Sequence, residues 1–184
     1  MSSFLFISKR LGFRAFKQED EHPFRLLNQD KAVMKYFPFL LSDEASKDFM
    51  ERINNNLQNN GYGFFAVEII KTGQLIGFIG LQKVTFESEF TPCIEIGWRI
   101  RREFWNQGYA TEGAMACLKY GFEEQKFDKI LSFCPKVNKA SERIMQKIGM
   151  TKQGEFLHPK ILDYPRISSC VWYEITKKQF QLHE

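Results

Sequence analysis

The segment from Trp105 to Ala114, WNQGYATEGA, places a glycine directly before a plausible helix start. Glycine permits a positive φ and lets a ligand approach the backbone closely. The first N–H groups of a helix have no partner inside the helix, and the helix dipole favours an anion beside them. The segment therefore predicts either an ordinary helix cap or a cradle for phosphate. It is neither a Walker loop nor a dinucleotide fingerprint, because Gly-Lys-Ser/Thr and G-x-G-x-x-G are both missing.

A second polar pair lies in the segment VNKASERIMQKIGM, where Asn138 and Ser141 are one helical turn apart. Two short polar side chains on one helix face can hold a backbone-like ligand, or one of them can pass a proton. The alternative is that Asn138 caps the helix and has no further role.

Glu95 is an acidic residue with apolar neighbours in a strand-like run, from Cys93 to Ile100. Burial raises the pKa of a carboxyl group, which makes Glu95 a candidate general base for removing a proton from an amine. The alternative is a structural ion pair between Glu95 and a neighbouring arginine.

Hydrophobic periodicity predicts the elements that position these residues. A β-like segment lies within residues 4–16, a short helix follows to about Asn28, and a longer helix begins after Ser42 and ends before Gly61. Helices are also predicted after Gly108 and from about 138 to 148. The predicted strands of the second part of the chain are Phe64 to Ile70, Leu75 to Val84, Cys93 to Ile100, Lys129 to Cys134, Thr151 to Phe156 and Ser168 to Thr176.

The composition is typical of a soluble globular chain of 184 residues, with 43% hydrophobic and 26% charged residues. The net charge of +4 suits a phosphate-bearing ligand but is too small to indicate nucleic-acid binding. Four scattered cysteines, with no C-x-x-C, indicate free thiols in a reducing compartment, and three scattered histidines predict no metal site. Without a signal peptide or a membrane-spanning run, a cytoplasmic protein with no membrane partner is expected.

The run EIGWRIRREFWNQGYATEGA, followed by VNKASERIMQKIGM, resembles the GNAT acetyltransferase superfamily. Within it, the opening KRLGFRAF resembles the ribosomal-protein N-terminal acetyltransferase branch of the RimJ/RimL type. The resemblance covers nearly the whole chain and implies one acetyltransferase domain over residues 1–184. The implied fold is an α+β GNAT-type fold, with a mixed, mostly antiparallel central sheet of about seven strands and helices on both faces.

The resemblance implies acetyl-coenzyme A as the acetyl donor and a primary amine as the acceptor. The backbone amides of the loop and the first helical turn are expected to bind the coenzyme A pyrophosphate, and the end of the third meander strand is expected to pair with the pantetheine arm. Asn138 would contact that arm from the other side. The family pattern usually has Arg or Gln at Trp105, although Trp is common in the Rim-like branch. The cofactor-binding residues expected on this basis are Trp98, Arg99, Ile100, Trp105, Gln107, Gly108, Tyr109, Ala110, Thr111 and Asn138.

One departure from the family pattern affects catalysis. Many members have a tyrosine at the position of Met145, where it protonates the leaving thiolate, and methionine cannot do this. Ser141, one turn earlier, is then the candidate acid, and Glu95 is the candidate base. The expected mechanism is direct attack of the amine on the thioester in a ternary complex, without a covalent acetyl-enzyme. A non-catalytic protein that senses acyl-coenzyme A is the alternative that the missing tyrosine favours.

The acceptor is less constrained by these motifs. The resemblance favours the α-amine of a protein N-terminus, and the alternatives are polyamines or aminoglycosides. A polycationic amine would need an acidic pocket, to which Glu87, Glu89 and Asp163 are candidates to contribute. The acceptor groove is expected between the loop around Phe37 and the loop around Tyr164. The sequence leaves open whether the protein is a monomer or a homodimer.

Overall fold

The computed structural model describes residues 4–182 of the chain, and its strands and longer helices follow the order that the sequence patterns predict, with short helices added before and after the last strand. The strands are β1 (Phe6–Ile7), β2 (Leu11–Arg14), β3 (Phe64–Ile69), β4 (Gln74–Val84), β5 (Cys93–Ile100), β6 (Lys129–Pro135), β7 (Thr151–Leu157) and β8 (Ser169–Thr176). The α-helices are α1 (Glu21–Gln29), α2 (Asp43–Asn60), α3 (Tyr109–Glu123), α4 (Lys139–Lys147), α5 (Pro165–Ser168) and α6 (Lys177–Gln181). Short 3₁₀ turns lie at Gln18–Asp20, Val33–Tyr36, Arg102–Phe104 and Pro159–Ile161.

All the strands belong to one sheet, in the order β1-β2-β3-β4-β5-β6-β8-β7. Only β5 and β6 pair in parallel among the described strands, so the expected mixed, mostly antiparallel α+β fold is confirmed. The sheet has eight strands rather than about seven, because the N-terminal segment folds back on itself and pairs Phe6 with Phe13. Polar residues between Ser8 and Arg10 form the turn, and the Ser8 N–H donates to the carbonyl of Leu11 over 2.8 Å.

Helices α1 and α2 cover one face of the sheet. The Ser42 hydroxyl caps α2 by accepting from the Ala45 N–H over 3.1 Å, and Gly61 ends the helix with φ of +74°. The buried apolar residues of α2 pack with those of α1 and of the sheet into one cluster. The members of this cluster are Phe16, Phe24, Leu27, Val33, Met50, Ile53, Ala66, Leu75 and Phe78.

Helix α3 packs on the opposite face, where the larger apolar core lies. Ala114, Cys117 and Leu118 are fully buried there. The helix approaches β4 closely because Gly113 has no side chain: a Cβ at that position would lie 2.3 Å from Cδ1 of Ile79. This close packing fixes the N-terminus of α3 beside the end of β5.

The parallel pair β5–β6 is short, and the two strands then diverge. Their only register pair among the described residues is Glu95 with Leu131. The Ser132 hydroxyl donates to the carbonyl of Ile96 over 2.9 Å, next to the point of divergence. Beyond it, the sheet opens into a V whose two sides are β5 and β6.

Within residues 4–182, no helix has the length and apolar character needed to cross a membrane. The same residues contain no group of three or more His, Cys, Asp or Glu side chains arranged to hold a metal ion.

Candidate active site

A cleft of about 1060 Å³ lies between the diverging strands and the N-terminal ends of α3 and α4. The structure brings together in this cleft almost all the residues that the sequence analysis selected. Those that line it are Glu95, Trp98, Arg99, Ile100, Trp105, Gly108, Tyr109, Ala110, Thr111, Asn138 and Ser141. Gln107 does not line the cleft.

The expected phosphate cradle is the N-terminus of α3. Gly108 is its N-cap residue with φ of +81°, a backbone conformation that residues other than glycine rarely adopt. No side chain of the described residues caps this helix. The first-turn N–H groups, from Tyr109 onward, therefore face the cleft without a protein acceptor at the cap, which suits a phosphate.

Gln107 and Arg10 form the outer wall of the cradle. The Gln107 side-chain amide donates to the carbonyl of Glu103 over 2.9 Å, and the Gln107 carbonyl accepts from Nη1 of Arg10 over 3.1 Å. The Arg10 guanidinium also lies 4.3 Å from the centre of the Tyr109 ring and pairs with Glu112 at 2.6 Å. Gln107 thus buttresses the loop instead of lining the cleft. Sequence reasoning missed Arg10 because it is about a hundred residues away in the chain.

Trp105 connects the end of β5 to the cradle. Its indole Nε1 donates to the carbonyl of Ile100 over 2.7 Å, while 41% of the residue remains exposed. This bond fixes the turn between β5 and α3. It also engages one lone pair of the Ile100 carbonyl, at the strand end expected to pair with pantetheine.

Glu95 lies at the vertex of the V and is only 8% exposed. Burial raises its pKa to about 7, against the opposing effect of a 2.7 Å hydrogen bond from Nε2 of Gln82. Glu95 forms no ion pair within the described part of the chain, so the alternative of a structural pair with arginine is wrong. A carboxyl group with a pKa near neutrality can both accept and release a proton at physiological pH. Gln82 was missed because only the strand register places it opposite Glu95.

Asn138 and Ser141 begin helix α4 and contact each other. The Asn138 Oδ1 accepts from the Ser141 N–H over 3.2 Å, so the prediction of a helix cap is confirmed. The Asn138 Nδ2 donates to the Ser141 hydroxyl oxygen over 3.1 Å. The hydroxyl oxygen is thus held as an acceptor, which leaves its proton free to point into the cleft.

Three sulfur-containing residues near the cleft are unsuited to acid–base or nucleophilic chemistry. Met145 is fully buried in the larger core and does not line the cleft. Cys134 and Cys170 do line it, and burial raises the pKa of each thiol to about 12. Neither is a thiolate near neutral pH, so neither is suited to carry an acetyl group.

The acceptor side of the cleft agrees only in part with the sequence analysis. Phe37 lines the cleft as expected, but Asp163 and Tyr164 do not; Lys160 and Ile161 take their place. The acids proposed for a polyamine pocket, Glu87, Glu89 and Asp163, are exposed and lie outside the cleft. The charged side chains that line it are Lys35, Lys83, Glu95, Arg99, Arg143, Lys147 and Lys160.

Comparisons with known proteins identify the family to which this fold belongs. The chain is 36% identical over 150 residues to the N-acetyltransferase YnaD of Bacillus subtilis (strain 168), covering 81% of this chain and 84% of YnaD. The spermidine N(1)-acetyltransferase of Escherichia coli (strain K12) is 24% identical over 148 residues, covering 79% of this chain and 75% of that protein. The crystal structure of a GNAT-family acetyltransferase from Bacillus anthracis superposes with a TM-score of 0.79 at 31% identity, over 94% of this chain and 98% of the other. Residues 10–151 match the family model for the acetyltransferase (GNAT) domain, and the chain therefore belongs to the GNAT acetyltransferase family.

Proposed function

We propose that this GNAT acetyltransferase transfers the acetyl group of acetyl-coenzyme A to the α-amine of a protein N-terminus, as in the RimJ/RimL branch. The observation that carries the proposal is Glu95. It is a buried carboxyl group whose pKa is raised to about 7, and it lies where β5 and β6 diverge. An ammonium has no lone pair, so a base of this strength is what an amine acceptor needs at neutral pH.

The uncapped N-terminus of α3 supports binding of the donor. Its free N–H groups and the positive end of the helix dipole suit the pyrophosphate of coenzyme A. Arg143 and Lys147 add two positive charges on α4, whereas Arg10, paired with Glu112, braces the loop of the cradle. In this proposal the pantetheine arm enters the V between β5 and β6, along the backbone of Trp98.

Proton transfers follow from the positions of Glu95 and Ser141. Glu95 accepts a proton from the ammonium, directly or through water, and the free amine attacks the thioester carbonyl carbon. A C–N bond forms, the nitrogen releases its second proton to solvent, and the C–S bond breaks, leaving the coenzyme A thiolate. The Ser141 hydroxyl gives its proton to that sulfur and is reprotonated from solvent. The high pKa of Cys134 and Cys170 supports direct transfer without an acetyl-enzyme.

The charge of the cleft favours a peptide over a polyamine. The spermidine acetyltransferase among the relatives makes polyamines the second candidate. Glu95 is the only carboxylate among the described residues that line the cleft, whereas several lysines and arginines line it. A polycation would meet like charges there and would find one acid, already committed to proton transfer.

The test is an acceptor panel with acetyl-coenzyme A, read by mass spectrometry as the addition of one acetyl group. The panel contains N-terminal peptides, spermidine, an aminoglycoside and free amino acids. Acetylation of peptide α-amines, lost in Glu95→Gln while acetyl-coenzyme A still binds, supports the proposal. Acetylation of spermidine alone contradicts the proposed acceptor. Binding of acetyl-coenzyme A without any acetylation would favour a sensor.

A further inference from the structure

Arg99 carries a charge on the wall of the cleft that no acidic group of the described residues balances. Its Nη1 donates to Oδ1 of Asn28 over 2.5 Å, and its Nε is buried without any hydrogen-bond partner. Burial, with no opposing carboxylate, lowers the pKa of Arg99 to about 10, still well above neutrality. A guanidinium has five N–H donors and remains charged, so a ligand that supplies an anion would complete this site.

Aromatic rings hold the Arg99 side chain in place. The guanidinium carbon lies 4.1 Å from the centre of the Phe37 ring, 5.2 Å from that of Phe78 and 5.7 Å from that of Phe49. These distances are typical of cation–π contacts, which orient a guanidinium but do not neutralise it. The group is thus already positioned before a ligand arrives, which lowers the entropy lost on binding.

Arg99 and Glu95 share one face of β5. Side chains alternate along a strand, so residues 95, 97 and 99 point to the same side, and their cross-strand partners on β4 are Gln82, Gly80 and Phe78. Gly97 has no side chain, and the ring of Phe64 takes the space: a Cβ on Gly97 would lie 3.3 Å from Cε1 of Phe64. An apolar floor therefore runs from the candidate base to the guanidinium.

The spacing along β5 limits the size of the acceptor. The Cα atoms of Glu95 and Arg99, four positions apart on one strand, are about 13 Å from each other. A free α-amino acid, whose amine and carboxylate share one carbon, is too short to reach both Glu95 and Arg99. An extended peptide advances about 3.3–3.6 Å per residue, so an acidic side chain within the first three residues covers the distance.

We propose that Arg99 binds a carboxylate of the acceptor, and that the preferred acceptor is a protein N-terminus with Asp or Glu at its second or third position. This inference rests on the proposed N-terminal acetylation and adds its selectivity. Arg99 then acts as a specificity residue, whereas Glu95 acts on the reacting amine. The backbone of residue 99 remains available to the pantetheine arm, because only the side chain is used here.

The first experiment uses matched peptides that differ only in residues 2 and 3, which are both Glu, both Gln or both Lys. We expect kcat/KM of the unaltered enzyme to be about 10- to 100-fold higher for the Glu peptide than for the Gln peptide, as a charge-assisted hydrogen bond predicts. In Arg99→Met that ratio should fall toward one, and Arg99→Lys should restore part of it. Arg99→Glu should reverse the preference toward the Lys peptide.

Arg52→Met is the matched control. Arg52 also lies over the Phe49 ring, at 5.7 Å, but it is exposed and outside the cleft, so this variant should keep the peptide preference. Equal kcat/KM for Glu and Gln peptides in the unaltered enzyme would overturn the role of Arg99 while leaving N-terminal acetylation intact. A weaker Kd for coenzyme A in Arg99→Met, with the peptide preference retained, would assign Arg99 to the donor and also overturn the proposal. Acetylation of spermidine but of no peptide would overturn both proposals.

Discussion

Arg14 and Arg99 are two buried or partly buried arginines of the same sheet with opposite surroundings. Arg14 is 3% exposed and fully paired: Nη2 and Nη1 contact the two carboxylate oxygens of Asp20, and Nε contacts Oε2 of Glu68 over 2.8 Å. Burial works against its charge, but the bonds to Asp20 and Glu68 raise the pKa of Arg14 above its ordinary value. Arg99 has one amide oxygen as a partner, and burial lowers its pKa.

The carboxylates follow the same contrast. Glu68 belongs to the ion-pair cluster of Arg14, whereas Glu95 accepts only an amide hydrogen bond and has a pKa near 7. Charges that are paired inside the protein join β2, β3 and the start of α1, and they hold the fold. Charges left unpaired, on β5, are those to which we assign proton transfer and recognition. The difference lies in the neighbours and not in the residue types.

The largest expected effect tests the paired side of this contrast. Arg14→Met should lower the free energy of unfolding by about 3–5 kcal/mol, because Asp20 and Glu68 would stay buried without a counter-charge. Urea denaturation measures the change, and turnover per folded molecule should be unaffected. Arg25→Met, which breaks the more exposed pair with Asp43, is the control and should cost less than about 1 kcal/mol. Equal losses in the two variants would contradict the structural role of the Arg14 cluster.

The second effect is on catalysis. Glu95→Gln keeps the shape of the side chain but removes the base, so turnover at neutral pH should fall about 100- to 1000-fold. The ratio of the turnover rate of the unaltered enzyme to that of Glu95→Gln should shrink above about pH 8, where an α-amine loses its proton without a base from the enzyme. Steady-state kinetics over a pH series gives both values, and calorimetric titration checks that acetyl-coenzyme A still binds. An unchanged pH–rate profile would remove Glu95 from the mechanism.

A third prediction concerns stability and pH. Burial raises the pKa of Glu95 to about 7 from an ordinary value of 4.5, so between these values the native state binds more protons than the unfolded chain. The stability contributed by protonated Glu95 is therefore present below about pH 4.5 and is lost as the pH rises through about 7. The uncharged amide of Glu95→Gln does not titrate, so this variant does not lose stability in that pH range. The difference in free energy of unfolding, variant minus unaltered protein, should therefore rise by at most about 3 kcal/mol between about pH 5 and pH 8. Denaturant unfolding at both pH values measures this, and a constant difference would contradict the raised pKa.

The smallest expected effect completes the comparison. Arg99→Met should change the free energy of unfolding by less than about 1 kcal/mol, because relief of the buried charge offsets the lost ring contacts and the bond to Asn28. Urea denaturation beside Arg14→Met gives the contrast directly. A loss as large as that of Arg14→Met would show that Arg99 holds the fold, and would weaken its assignment to the acceptor.

Local sequence patterns determined the types and order of the main elements. The strand Cys93–Ile100, the cap at Ser42 and the cap at Asn138 follow from residues only a few positions apart, so the printed sequence suffices for them. The cradle at Gly108 is equally local, since a glycine and a helix start are neighbours in the chain. The burial of Glu95 followed from its apolar neighbours on the same strand.

Tertiary structure decided which distant residues meet. Strand register places Gln82 opposite Glu95, and the N-terminal hairpin brings Arg10 to a cradle about a hundred residues later in the chain. Glu87 and Asp163, which the sequence made candidates for an acidic pocket, lie outside the cleft. The sequence shows that Arg14 and Arg99 are both arginines in strands, but a charge is stabilised or left unpaired by groups within a few ångströms in space. Those groups come from several elements, and only their packing determines which of them are neighbours.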